Sequence, residues 1–193
     1  MSHRVLQVAG IVALVPALAF AADELRGPAS LRVTSRGVGP ITQSTPFDEK
    51  VLRKLLPGFT VTAGEDVSEG EFVAHNLKVS WRGNPVLVVH QNEIVGKVIR
   101  SVEVVSSLVR GPNGEHVGDT FAAIGRPLSS CALGMEETDG FVFCSPSDVP
   151  SLSYEADASA LPEGAWPEPD EKPPPSDVLP RLKISSIFWM PRG

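Results

Sequence analysis

The sequence predicts an α+β domain: a twisted, mainly antiparallel β-sheet with one main amphipathic helix, one short helix and one disulfide. Three observations lead there. Only one long segment, 45–58, repeats its apolar residues at the three-and-four spacing of a helix face. Most other segments alternate apolar and polar residues between Gly, Pro and Asn turn signals, as strands do. The only two cysteines, Cys131 and Cys144, flank a turn-rich stretch, which suits one intramolecular bridge.

The elements follow in order. The first 22 of 193 residues read as a secretory signal peptide. Arg4 makes the start basic, Val5 to Phe20 is an uncharged, mostly apolar run, and Ala19 and Ala21 are the small residues a signal peptidase reads. Pro16 breaks the run, which is short of the roughly 20 residues a membrane-spanning helix needs. A single exported domain over 23–193, with no transmembrane segment, is expected to remain. LRVTS (31–35) alternates and reads as a short strand, and RGVGPITQS after it reads as a loop.

TPFDEKVLRKLLPG is the clearest helix, expected over about 46–56. Thr45 stands as its N-cap, Pro46 occupies the first helical position and Asp48 follows like the acid of a capping box. Phe47, Val51, Leu52, Leu55 and Leu56 form the apolar stripe, and Glu49 and Arg53 pair on the wet face. Pro57-Gly58 ends it. FTVTA (59–63) reads as a strand and GEDVSEGE as an acidic loop.

From Phe72 to Val105 the pattern is a meander. LKVSW alternates, RGNP turns, and VLVVH is apolar on both faces, as a central strand is. QNE turns again, and KVIRSVEVVS should point Val98, Val102 and Val104 inward. GPNGE is a tight turn, with Asn113-Gly114 suited to positive φ. HVGDTFAAIG reads as a short helix over about 119–125, ended by Gly125. VPSLSYEA (149–156) reads as an edge-type strand. Residues 161–180 hold seven prolines in twenty, so they form neither helix nor inner strand but a stiff, extended acidic loop. RLKISSIFWM (181–190) then alternates Leu182, Ile184, Phe188 and Met190 against Lys183, Ser185 and Ile187 and must rejoin the sheet. The proline segment is therefore a loop within one domain.

The chemistry is bounded mostly by exclusion. Net charge is −6, and the acidic surplus is concentrated in 155–177, where Lys172 is the only base. That balance excludes a basic face for nucleic acid. Export puts the cysteines in an oxidising compartment, where a disulfide persists. Cys131 and Cys144 are too far apart in sequence for a C-x-x-C redox pair, and two thiols fall short of a zinc site's about four ligands. Asp139-Gly140 between them lets the chain fold back as a hairpin. His75, His90 and His116 lack metal-ligand spacing, and neither H-E-x-x-H, G-x-S-x-G, S-x-x-K, a Walker loop nor G-x-G-x-x-G occurs. No catalytic, cofactor-binding or metal residues are therefore assigned, and no cofactor is expected. Trp166, set among prolines and acids, either pins its loop or serves as a contact, and is the candidate contact residue.

GPITQSTPFDEKVLRKLLPGFTV, HVGDTF, CALGMEETDGFVFCSP, SLSYEA and the closing LKISSIFWMPR resemble, in this order, the sigma-E (RpoE)-regulated lipoprotein family of Gram-negative bacteria. The resemblance spans most of the exported chain. It implies a periplasm-facing, mostly β envelope domain associated with envelope stress, and it brings no catalytic residues. The chain departs from the family in having no cysteine after the leader's apolar run to take a lipid, which favours an unanchored periplasmic protein. The leading expectation is a non-enzymatic envelope protein that binds or supports another envelope protein or a cell-wall component. The alternatives are a hydrolase, which a cleft gathering His90 or His116 with two carboxylates would favour, and a small-ligand carrier with a closed apolar cavity.

Overall fold

The computed structural model describes residues 27–67, 73–125, 127–134, 140–159 and 177–191. The stretch expected to be a signal peptide (1–22), Trp166 and most of the proline segment lie outside the described residues.

Among the described residues, two antiparallel sheets and one α-helix make the fold, as the α+β expectation requires. Three two-residue strands, β1 (Val33–Thr34), β2 (Gly37–Val38) and β3 (Ile41–Thr42), form a small sheet. The helix α1 (Glu49–Leu55) follows. Eight strands then build the large sheet: β4 (Thr60–Val67), β5 (Val73–Trp81), β6 (Asn84–Gln91), β7 (Ile99–Val104), β8 (Leu128–Leu133), β9 (Phe141–Pro146), β10 (Leu152–Asp157) and β11 (Ile184–Trp189). Their spatial order is β4-β5-β6-β7-β11-β10-β9-β8, so β11 returns to the middle of the sheet, as expected of the last strand.

Leu87, Val89, Val102, Val104, Ile187 and Trp189 on one face of the large sheet join Leu31, Val33 and Ile41 of the small sheet in one buried cluster. Leu52 and Leu56 bring the apolar stripe of α1 into it, and Phe121 and Ile124 add a 3-10 turn where a short helix was expected. Gly125, at φ 66°, ends that turn. Glu115 is the one buried acid among the described residues, at 2 % exposure. Its side-chain oxygens accept the Tyr154 hydroxyl at 2.5 Å and the Asn113 backbone N–H at 2.8 Å, the hydrogen bonding that burial of a polar group demands.

Several elements differ from the sequence expectation, each for a local reason. RGVGPITQS is not a loop but carries β2 and β3. Val33 pairs with Val38 and Val38 with Ile41, and the chain doubles back so closely that a Cβ at Gly37 would sit 1.9 Å from the Ile41 carbonyl. The glycines that signal a loop here permit two hairpin turns instead. Asp48, not Thr45, caps the helix, its Oδ1 accepting from the N–H of Lys50 at 2.8 Å and Val51 at 3.1 Å. Thr45 is already engaged, its hydroxyl accepting the Thr42 N–H at 3.0 Å. Pro46 bridges to Val98 and the Phe47 N–H donates to Lys97, so 46–48 are extended and the helix opens only at Glu49.

Part of the acidic stretch after Phe59 belongs to β4, which runs on to Val67. VPSLSYEA is an inner strand, β10, paired with β9 and β11. Its serines suggest an edge, but Ser151 and Ser153 are buried, and the Ser151 hydroxyl donates to the Ser35 carbonyl at 3.2 Å. Strict alternation fails in β11 and before β7. Opposite Glu155 and Ala156 the ladder gains one residue on β11, so Ile184 and Ile187, three apart, both face the core, and Phe188 turns outward. Met190 is left 37 % exposed. A second irregularity opposite His90 and Gln91 puts Ile99 inward and leaves Val98 39 % exposed. Each is the one-residue phase change that a β-bulge imposes.

Cys131 and Cys144 form a disulfide, as expected, and face each other directly across the β8–β9 hairpin with Cα atoms 4.1 Å apart.

Candidate functional site

Four stretches, drawn from three distant parts of the chain, meet at one end of the core and leave an open cleft of about 820 Å³. The small sheet supplies Ser35 and Arg36 from its first turn, and Thr42, Gln43 and Ser44 from the end of β3. The turn between β9 and β10 supplies Asp148, Val149 and Ser151, and the end of β11 supplies Trp189 and Pro191. The Ser35 carbonyl binds this junction together. It accepts the Ser151 hydroxyl and also the Trp189 indole N–H at 3.3 Å, across 154 residues of chain.

The lining mixes polar, charged and apolar groups. The Thr42 and Ser44 hydroxyls lie 3.1 Å apart, and Gln43 adds an amide. Arg36 and Asp148 are exposed and supply one charge of each sign. Such a surface offers hydroxyl and amide donors and acceptors, one charge of each sign and apolar contact over a buried aromatic floor. It can hold an extended ligand that has both polar and apolar parts.

His75, His90 and His116 are each paired with a carboxylate that spacing did not reveal. His90 Nε2 lies 3.2 Å from Glu103 on the outward face of the large sheet. Glu155 lies on that face too, and accepts the Ser185 hydroxyl at 2.8 Å. Its burial first, and the Glu103 charge second, push the Glu155 carboxyl above the usual carboxylate range, against the lowering effect of the serine hydroxyls. The structure thus pairs His90 with one carboxylate, Glu103, and sets Glu155 close enough to Glu103 for the two charges to interact. A raised folded-state pKa means that Glu155 favours the fold fully below its unfolded value near 4.5, and that this contribution is lost as pH rises through the folded value. Glu155→Gln is therefore expected to raise the melting temperature at neutral pH by about 1–2 °C and to leave it unchanged in acid. Thermal melts of both proteins across pH 3–8 check this; an equal shift at every pH contradicts it.

His75 sits beside a smaller cavity of about 370 Å³ that Phe47, Gly64, Glu65 and Asn76 also line. Its Nδ1 is 3.2 Å from Glu93, and its backbone N–H donates to the same carboxylate at 2.7 Å. That backbone bond is the main cause holding Glu93 below the usual carboxylate range. Glu65 is more distant, at 4.0 Å from Nε2. His116 pairs with Asp119, which also accepts the His116 backbone N–H at 2.8 Å, so this pair closes a turn. Among the described residues no group of three or more His, Cys, Asp or Glu is placed to hold a metal, and no helix is long and apolar enough to cross a membrane. Trp166, the sequence's candidate contact, falls outside the described residues. The one hint of the cleft in the sequence is ITQSTP, where three consecutive polar residues follow a strand.

Three comparisons place the chain. The "Uncharacterized protein YfeY" of Escherichia coli strain K12 is 25 % identical over 162 residues, covering 83 % of this chain and 80 % of that protein. A solved structure, "Crystal structure of the uncharacterized protein yfeY from Escherichia coli", superposes with a TM-score of 0.59 at 24 % identity. It covers 82 % of this chain and 99 % of that one, and shows a shared fold. The family described as "Protein of unknown function (DUF1131)" matches residues 24–191. The chain belongs to the DUF1131 family.

Proposed function

We propose that the protein is a non-enzymatic binding module of the bacterial cell envelope, and that the cleft beside Trp189 holds another envelope component. The observation that carries this reading is the cleft itself: about 820 Å³, open, lined by hydroxyls and an amide, with its floor fixed by two hydrogen bonds to one carbonyl. A fixed surface that combines hydroxyls, an amide, one charge of each sign and apolar contact suits a chain with polar and apolar faces, such as a cell-wall glycan or an extended peptide. The leader at 1–22 supports export to the periplasm, and the resemblance to sigma-E-regulated lipoproteins supports a link to envelope stress. Trp166 is proposed as a second contact, on sequence grounds alone.

The test is binding of soluble peptidoglycan fragments and of solubilised envelope proteins to the purified protein, compared with Ser44→Trp. The large ring fills the cleft from an exposed position. One retained species, lost with Ser44→Trp while the melting temperature holds, is the expected result. Retention that ignores Ser44→Trp contradicts the cleft reading. Deleting 164–176 should weaken the same retention and leave the fold intact.

The pairing of His90 with Glu103, and the coupling of Glu103 to a Glu155 whose carboxyl lies above the usual range, favour a second reading, a hydrolase of cell-wall material. Turnover of peptidoglycan fragments, abolished by Glu155→Gln and by His90→Gln, would establish it. Equal product release from wild type and both variants would remove it.

A further inference from the structure

Among the described residues that line the cleft, Arg36 is the one base. Its backbone is fixed from both sides. The Thr34 hydroxyl oxygen accepts the Arg36 N–H at 3.2 Å, and the same hydroxyl donates to the Gly37 carbonyl at 3.2 Å, which closes the turn between β1 and β2. The Ser35 carbonyl, directly before Arg36, accepts the Ser151 hydroxyl and the Trp189 indole N–H. The side chain thus starts from a rooted position. Its guanidinium is exposed and, among the described residues, has no hydrogen bond or ion pair. Arg53 of α1, by contrast, is engaged by Glu49 and by the Val61 carbonyl. A guanidinium is a planar fork of N–H donors that matches a carboxylate through two parallel bonds. The Thr42 and Ser44 hydroxyls add further donors to the same cleft.

Resting on the reading of this cleft as a binding site, we propose that its ligand is an extended peptide, and that a carboxylate of that peptide docks on Arg36. Two features favour a peptide over a glycan. A sugar ring is commonly held by laying its C–H face on an exposed aromatic ring, and the aromatic residue of the lining, Trp189, is only 1 % exposed. The remaining apolar contact is aliphatic, from the half-buried Val149 and Pro191, which suits peptide side chains. Thr42, Gln43 and Ser44 can both donate and accept, as a peptide backbone requires of its partners. Asp148 puts a negative charge on the same cleft, so a densely anionic chain is disfavoured. Because Arg36 is exposed, its attraction for a carboxylate is screened by salt.

The test is an array of random octapeptides with free terminal carboxylates, probed with the purified protein beside a neutral N-acetylglucosamine tetramer. The best-retained peptide is then titrated by calorimetry as the acid and as the amide. The expected result is that the acid binds about tenfold more tightly than the amide, and that this advantage shrinks as salt rises. Arg36→Gln should bring the acid down to the level of the amide, leave the amide unchanged, and leave the melting temperature in place. Arg36→Lys should keep part of the preference, since it retains the charge and loses the fork. Peptide retention that is lost with Ser44→Trp but is indifferent to amidation and to Arg36→Gln overturns the proposal and leaves the cleft reading standing. So does retention of the sugar tetramer in place of any peptide. Retention of neither, or retention indifferent to Ser44→Trp, overturns both.

Discussion

Replacing Cys131 or Cys144 by alanine is expected to lower the melting temperature by about 6–12 °C, corresponding to about 3 kcal/mol for closing a loop this short. The bridge joins residues 13 apart and sits where an edge strand has a neighbour on one side only. Without it, β8 keeps its ladder to β9 but loses the constraint that limits the unfolded chain. Each single replacement removes the whole bridge, so the double replacement should match the singles. Differential scanning calorimetry of the three variants checks this. Losses that add in the double variant would show that each thiol has a separate packing role, and would contradict a purely structural staple.

The second large effect is at Trp189. Its side chain is 1 % exposed, packs in the core and forms the floor of the cleft. Trp189→Ala should cost about 3–5 kcal/mol, the range for emptying a large aromatic site in a core. Trp189→Phe separates packing from hydrogen bonding. It keeps most of the apolar contact and removes the donor to the Ser35 carbonyl, which retains the Ser151 hydroxyl. A smaller loss of about 1 kcal/mol is expected for that change, before any cost of the smaller ring. Urea unfolding measures both. A Trp189→Phe loss as large as that of Trp189→Ala would mean that the indole N–H, rather than burial, holds the small sheet to the large one.

What the sequence could reveal depended on distance along the chain. The apolar stripe of α1, the β5–β7 meander and the hairpin carrying the two cysteines are local patterns, and each appears where its residues announce it. The helix cap was misassigned because Thr45 and Asp48 are both good caps, and only the tertiary bridge of Pro46 to Val98 decides between them. The phase changes in β11 and before β7 are invisible in one strand, because a bulge exists only against a partner's register. The histidine partners were hidden for the same reason. Glu103 is 13 residues from His90 and Glu93 is 18 from His75, and the ladder and the β6–β7 loop bring them near. The cleft was the least readable feature. Its walls come from residues 35–36, 42–44, 148–151 and 189–191, all of ordinary loop composition.

The central claim, that the cleft is where the protein meets another envelope component, is tested most directly by photocrosslinking in living cells. A photoreactive residue at Gln43, in the cleft wall, is compared with one at Lys78, exposed on β5 and away from the cleft. The account predicts that one envelope component, identified by mass spectrometry, is captured from position 43, not from 78, and that Ser44→Trp abolishes it. Capture that is equal from both positions, or absent from 43 while the protein is folded and exported, would contradict it.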